Sequence, residues 1–346
     1  MAWRRVPLIR AQTPAKPRQG GTPRCKGAGL RILFITSNRI GDAVLSTGLL
    51  SGLMDRYPDA TFWVACGPLA VPLFEHAPGV ERIIPMKKEK RAGHWRKLLA
   101  AIMPRRWDVV VDLRGSATAW FLWTKKRYIL KSDHTLHRVV HNAQVADFDP
   151  PPSPRLWHGA EDLAEAGRLI PEGRQVLAIG PTAAWPRKMW PVERYAELAR
   201  RLTGPGGLME GAYLLVSGGP GEQDICKPVF DAVPEERRID LVGAELGLTG
   251  ACFARCRLYV GNDSGLMHLA AAAGAPTLGL FGPTSDAQYG PWGERARALR
   301  GERSREQILK EEGDHFFGES AVTDITVGQV EEAAREMLAR TLPGLE

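Results

Sequence analysis

The stretch Leu258-Tyr-Val-Gly-Asn-Asp-Ser-Gly-Leu-Met-His-Leu-Ala-Ala-Ala-Ala-Gly-Ala-Pro-Thr-Leu-Gly-Leu-Phe-Gly282 decides the fold. An apolar run from Leu258 to Val260 meets a small polar turn, Gly261 to Gly265. An Ala-rich run of helical composition, Leu266 to Ala273, then stops at Gly274. A second apolar run, Thr277 to Phe281, follows at once, so the block reads strand, turn, helix, strand. Two strands joined this way are parallel, because only a crossover returns the chain in the same direction. Asp263 or Ser264 can cap the helix, which leaves the N–H groups of its first turn aimed into the crevice beyond the strand's C-terminal end. Such a turn takes an anion, most often a phosphate. Capping alone is the plainer reading of Asp-Ser-Gly before a helix. His268 adds weight to the other, since it falls on the same helical face as Ser264 and makes three polar groups converge on one helix start.

Outward from this block the same rhythm recurs. Toward the N-terminus, Arg31–Thr36 is a buried-type strand leading through Ser37-Asn-Arg-Ile-Gly-Asp42 into a helix, Ala43 to Tyr57, closed by Pro58. Apolar runs at Thr61–Ala65, Val80–Pro85 and Asp108–Leu113 alternate with helix-like segments at Pro68–His76, Trp95–Met103 and Ser116–Trp123. Pro150-Pro-Pro-Ser-Pro154 interrupts the pattern and reads as a domain linker or a long loop just before one. After an amphipathic stretch, Gly159 to Leu169, strands at Val176–Gly180, Tyr213–Ser217 and Ile239–Val242 alternate with helices at Val192–Leu202, Glu222–Ala232 and Leu248–Ala254. The expected fold class is α/β, two Rossmann-like doubly wound domains facing one another across a cleft. Residues 1–29 form a basic tail expected to be disordered, 30–172 a first domain and 173–325 a second. A final amphipathic helix within 326–346, Val327 to Leu342, is open to packing back across the first domain.

The chain of 346 residues has a formal net charge of +7, unevenly spread. The tail carries seven bases and no acid; residues 30–150 hold 18 bases against 11 acids, and 151–346 hold 21 against 28. A basic front and an acidic back suggest that the first domain meets something anionic, a solvated surface bias being the alternative. The acidic back and the lack of any recognition motif argue against nucleic acid. Five scattered cysteines, Cys25, Cys66, Cys226, Cys252 and Cys256, have neither disulfide nor metal spacing and point to a cytoplasmic protein. There is no apolar run of about 18 residues that could cross a membrane, and Met1 to Gly29 lacks the apolar core of a secretory signal. The cationic tail could attract anionic lipid, placing the protein peripherally at the inner face of the cytoplasmic membrane.

Further candidate site residues lie on loops after strands. In Gly180-Pro-Thr-Ala-Ala-Trp-Pro-Arg-Lys-Met-Trp-Pro191, Lys188 can reach a diphosphate as a mobile point charge, or simply lie on the surface. In Ser217-Gly-Gly-Pro-Gly-Glu-Gln-Asp224 the glycines allow close backbone approach, and Glu222 can accept from ribose hydroxyls or serve as a first-turn acid. Asp42 follows Gly41 at the first strand-to-helix turn, where a carboxylate either caps the helix or acts as a general base. That turn lacks GxGxxG, which disfavours a dinucleotide there.

Arg39-Ile-Gly-Asp-Ala-Val-Leu-Ser-Thr47, Lys188-Met-Trp-Pro191, Gly218-Gly-Pro-Gly-Glu222 and Gly261-Asn-Asp-Ser-Gly-Leu-Met-His268 with Phe281-Gly-Pro-Thr284 together resemble glycosyltransferase family 9, the bacterial ADP-heptose:lipopolysaccharide heptosyltransferases. The resemblance departs at Ser46-Thr47-Gly48 and at Ala183 and Ala184. It implies a GT-B enzyme that holds a sugar nucleotide, an ADP-sugar by preference, mainly on its second domain and needs neither cofactor nor metal. It implies Asp42 as the base for an acceptor hydroxyl in an inverting displacement, and Lys188 with the helix start at Ser264 and Gly265 as the stabilisers of the departing diphosphate. Thr182, Glu222, Asp263 and His268 would bind ribose, sugar and phosphate groups, and Gly41 and Arg114 the acceptor. An anionic, lipopolysaccharide-type acceptor would suit the bases at Lys87–Arg91, Arg96–Lys97, Arg105–Arg106, Lys125–Arg127 and Lys131–Arg138. Two alternatives keep the same donor site: a GT-B-fold sugar-nucleotide epimerase and a catalytically silent sugar-nucleotide-binding relative.

Overall fold

The computed structural model describes residues 29–133, 135–313 and 317–340. The expected disordered tail therefore lies outside the described residues apart from Gly29, as does the end of the final helix beyond residue 340.

The apolar runs of the central strands become strands buried on both faces, as parallel sheets covered by helices require, while the runs at Val80–Pro85 and Ile239–Val242 fall on sheet edges and stay partly exposed. The first unit runs β1 (Arg31–Ile35), α1 (Ile40–Arg56), β2 (Thr61–Cys66), β3 (Val80–Pro85), α2 (Gly93–Ile102), β4 (Trp107–Asp112), β5 (Thr124–Ile129) and α3 (Arg138–Gln144). Its parallel sheet has the order β3-β2-β1-β4-β5. The second runs α4 (Ala160–Leu169), β6 (Val176–Gly180), α5 (Val192–Thr203), β7 (Tyr213–Gly218), α6 (Gln223–Phe230), β8 (Arg238–Val242), α7 (Leu246–Phe253), β9 (Leu258–Asn262), α8 (Gly265–Ala272), β10 (Thr277–Phe281), α9 (Asp286–Tyr289), β11 (Ala296–Arg300), α10 (Arg305–Glu312) and α11 (Val327–Arg340). Its sheet is ordered β11-β10-β9-β6-β7-β8, again all parallel.

Strand alternation sorts the core. Leu33 and Ile35 face α2 on the outer side of the first sheet, whereas Ile32 and Phe34 face α1. In the second sheet Leu177 and Ile179 face α5 and α11, while Val176 and Ala178 join the same cluster as Ile32 and Phe34. One apolar core thus runs from one sheet to the other through α1, α7 and α8, each fully buried aliphatic side chain in it contributing about 2 kcal/mol over exposure.

Several expectations need correction. Pro68–His76 and Ser116–Trp123 are not α-helices but contain short 3₁₀ turns, Pro68–Leu73 and Ala117–Phe121; Pro72 lacks the N–H that the first would need to continue. The last helix does not pack back on the first domain: Val330, Ala333, Ala334, Met337 and Leu338 of α11 enter the core around Trp190, Tyr195 and Leu198 of the second. α4 packs on α7, so by packing it belongs to the second unit and the change of domain precedes it, not 172. The proline run is a strap seated on α1, where Cβ atoms on Gly48 or Gly52 would run into Pro152 and Thr47 Oγ1 accepts from the Arg155 N–H at 2.9 Å. β5 and β11 were not anticipated, because as edge strands they are half-exposed and rich in Lys and Arg.

Candidate active site

In each sheet one pair of neighbouring strands sends its connections in opposite directions: β1 and β4 in the first, β6 and β9 in the second. A crevice opens at the C-terminal ends of such a pair, and ligands of open α/β sheets bind there. The candidate residues fall at these two places.

At the second crevice, fully buried Asn262 ends β9 and stitches the loop after β6 to it. Its Oδ1 accepts from the Trp190 N–H and the Tyr195 O–H, each at 2.8 Å, and its Nδ2 donates to the Pro181 carbonyl at 2.8 Å. With that loop fixed, Lys188 Nζ reaches Asp263 Oδ2 at 2.6 Å and lies 4.5 Å from the centre of the Trp185 ring. Arg187 turns the other way, into the protein, to Glu312 at 2.8 Å and the Gly313 carbonyl at 2.7 Å. Of the two candidate caps, Ser264 caps α8, its Oγ accepting from the Met267 N–H at 3.4 Å. Asp263 is left to hold Lys188, with its other oxygen 3.9 Å from His268 Nε2. Burial pushes the His268 imidazole down to about 4, against the opposite pull of the Asp263 and Asp42 carboxylates, so the ring is neutral at pH 7. Its Nδ1 is buried without a hydrogen-bond partner.

Thr182 and Glu222 share one wall of this crevice. Gly218 stands between them: a Cβ there would lie 3.2 Å from Glu222 Oε2 and 3.4 Å from Thr182 Oγ1. Glu222 precedes α6 and accepts from the Gly219 N–H at 2.5 Å, the structural role left open by its position.

The first domain brings Asp42 to the same place because the starts of α1 and α8 touch. A Cβ on Gly41 would lie 3.0 Å from His268 Cδ2, a tight contact, and one on Gly265 would lie 2.9 Å from Ile40 Cβ, so at Gly265 a side chain would force the two helix starts to shift. Asp42, in the first turn of α1, receives the Ser37 hydroxyl at 3.4 Å and faces Arg138 Nε at 3.7 Å, while its Oδ1 has no hydrogen-bond partner. Arg138 also donates to the Tyr289 hydroxyl at 2.7 Å, and the neighbouring His137 Nε2 is 2.9 Å from the Gly290 carbonyl. The start of α3 therefore ties the two domains together beside Asp42.

Arg114 stands across the reversal in the first sheet but is not brought onto Asp42. Its N–H donates to Asp112 at 2.9 Å, its guanidinium donates to Asn38 at 3.1 Å, and it lies over the Trp95 ring at 4.6 Å. Burial raises the Asp112 carboxyl, against the hydrogen bonds it accepts from Ser116 and Arg114. Asn262, Arg138, His137 and Tyr289 were not singled out from sequence. Arg138 ends a basic segment that was noticed, yet nothing local tells it from its neighbours.

Two parallel α/β units with a cation, a helix start and a neutral imidazole on one wall and the Asp42 carboxylate on the other have the architecture of the GT-B class. A family model described as Glycosyltransferase family 9 (heptosyltransferase) matches residues 97–315, and the chain belongs to that family. It is 26% identical to lipopolysaccharide heptosyltransferase 2 of Salmonella typhimurium, covering 90% of this chain and 99% of the relative. It is 28% identical to lipooligosaccharide heptosyltransferase 2 of Haemophilus ducreyi, covering 90% of this chain and 100% of that protein. Among solved structures, ADP-heptose lipopolysaccharide heptosyltransferase II of E. coli superposes with a TM-score of 0.71 at 25% identity, over 90% of this chain and 99% of that one. A glycosyltransferase family 9 protein of Veillonella parvula shares the fold with a TM-score of 0.74 at 23% identity, over 90% and 98% of the two chains. The expected family, fold class and glycosyltransferase activity are thus borne out.

Proposed function

We propose that this glycosyltransferase moves a heptose from an ADP-heptose donor to a lipopolysaccharide-core acceptor, with inversion, and that Asp42 is its general base. The names of its relatives support the sugar and the acceptor class. The observation that carries the mechanism is the pair of buried polar atoms without a hydrogen bond, Asp42 Oδ1, which has only the Arg138 Nε at 3.7 Å beside it, and His268 Nδ1, where the starts of α1 and α8 meet.

In this reading the donor diphosphate lies against the first N–H groups of α8, beyond Ser264 and Gly265, where the helix dipole favours negative charge. Lys188 has three donors, so it can keep Asp263 and still give a hydrogen bond to the diphosphate. Asp42 takes the proton of an acceptor hydroxyl as that oxygen bonds to the anomeric carbon. The bond from that carbon to the diphosphate breaks on the opposite face, and ADP leaves with the electron pair. The charge gathering on ADP meets dipoles and a cation already in place, which lowers the barrier without reorganisation. Neutral His268 offers a ring nitrogen to sugar or phosphate without adding charge. Thr182 and Glu222 line the ribose side, and Gly41 and Arg114 the acceptor side.

The test pairs transfer with donor binding. Asp42→Asn, which keeps shape and removes basicity, is expected to lower transfer roughly a thousandfold while donor affinity stays within about threefold of wild type. Full activity in that variant would place the base elsewhere. A thermal-shift series with ADP-, UDP-, GDP- and CMP-linked sugars should raise the midpoint for the ADP-linked donor alone.

A further inference from the structure

Beyond Arg114, the connection between β4 and β5 carries a surface that the transfer chemistry does not use. Ala119 and Leu122 are buried in the core of the first domain, yet Trp120, Phe121 and Trp123 between and beside them are 69%, 63% and 80% exposed. Met103, where α2 gives way to β4, is also exposed, and the Trp107 N–H donates to the Trp123 carbonyl at 3.0 Å, which ties the end of the connection to the start of β4. The turn is rigid. Asp112 accepts from the Ser116 N–H and hydroxyl at 3.0 and 2.6 Å, Ser116 caps the turn at Thr118, and Arg127 clasps it by donating to the Ala119 and Leu122 carbonyls at 2.9 and 2.5 Å.

Contiguous exposed rings on a fixed support mark a contact site, unlike single apolar residues scattered over a surface. The chain that carries them is basic, with Asp108 beside Lys125 and Asp147 near Lys126 as the opposing carboxylates. From Leu113 to Ser132 the chain holds Arg114, Lys125, Lys126, Arg127 and Lys131 and no acid. The side chain of Lys125 is 81% exposed, and its one carboxylate partner is Asp108 at 2.7 Å.

We propose that Trp120, Phe121 and Trp123, with the bases of β5, form a wedge that seats the first domain on an anionic phospholipid surface. Tryptophan rings settle at the level of lipid headgroups, apolar body inward and indole N–H to the wet side, while lysine and arginine meet the lipid phosphates. The charge argues against a second copy of this chain as the occupant. A two-fold contact places the same patch against itself and would bring these bases face to face. The assignment does not depend on which sugar is transferred or to what.

Flotation of the full chain with vesicles tests it. Wild-type protein is expected to bind vesicles of phosphatidylglycerol mixed with phosphatidylcholine and to ignore vesicles of phosphatidylcholine alone. Trp120→Ser/Phe121→Ser/Trp123→Ser should bind at least about tenfold more weakly with an unchanged thermal midpoint, and Lys125→Gln/Lys126→Gln should bind more weakly with a shallower dependence on salt. The indole emission of wild type, but not of the triple variant, should shift to the blue on binding. Vesicle binding that survives the triple substitution would assign it to the basic N-terminal residues and overturn the wedge. No binding by wild type at low salt would also overturn it, as would a concentration-dependent dimer that the triple variant loses.

Discussion

His268 shows how one side chain can be read in two directions. On the page it is a polar residue in an alanine-rich helix; in the molecule it is buried between two carboxylates with one nitrogen unpaired. Its imidazole is pushed from an ordinary 6.5 to about 4, so between those pH values the unfolded chain takes up a proton that the folded chain refuses. The stability tied to this group is fully present above pH 6.5 and is lost as pH falls toward 4, by at most roughly 3 kcal/mol. Urea unfolding of His268→Gln should show a flatter stability profile than wild type across that window and no difference in slope above it. An equally steep profile in the variant would assign the acid sensitivity to other groups. Lys188 and Asp263 are likewise a unit: each screens the other inside a nearly closed site, so removing either strands a buried charge.

Among the elements, the meeting of α1 and α8 positions the chemistry. Ile40 lies against the Gly265 backbone and Gly41 against His268, with no room for a methyl group at Gly265 and little at Gly41. Gly265→Ala should therefore push the two helix starts apart and cost about 2 kcal/mol, with a loss of transfer larger than that of Asp42-independent donor binding. Gly167, inside α4, has open space around its missing Cβ, and Gly167→Ala should gain up to about 1 kcal/mol from helix propensity. Chemical denaturation of the pair distinguishes packing from propensity, since the two changes are chemically identical. A neutral Gly265→Ala would mean that the helix contact is loose enough to yield.

Over the whole molecule, the cluster that holds Ile32 and Phe34 of the first sheet also holds Val176, Leu215 and Tyr259 of the second. Interfaces between domains default to relative motion unless they are large and apolar. Here the buried layer of α1, α7 and α8 is shared, and His137 and Arg138 reinforce it at Gly290 and Tyr289. Scanning calorimetry should accordingly give one cooperative transition. Two resolved peaks, the lower sensitive to Tyr289→Phe, would show that the domains melt separately and that the shared core is weaker than its burial implies.

By itself the sequence determined the strands buried on both faces, the helix start at Ser264 and the loops that carry Asp42, Lys188 and Glu222, because hydrophobic period and turn chemistry are written in short windows. It also carried four motifs whose order identified the family. It did not reveal the edge strands β5 and β11, whose one-sided exposure removes the apolar run, or the partner of α11, whose amphipathic face fits either domain. Only the tertiary structure decided that Asp263 holds Lys188, that Asn262 fixes the loop beneath it, and that Arg138 stands beside Asp42. Those pairings join positions far apart in the chain, and no local pattern of charge or hydrophobicity states which distant group a polar side chain will find once both are taken out of water.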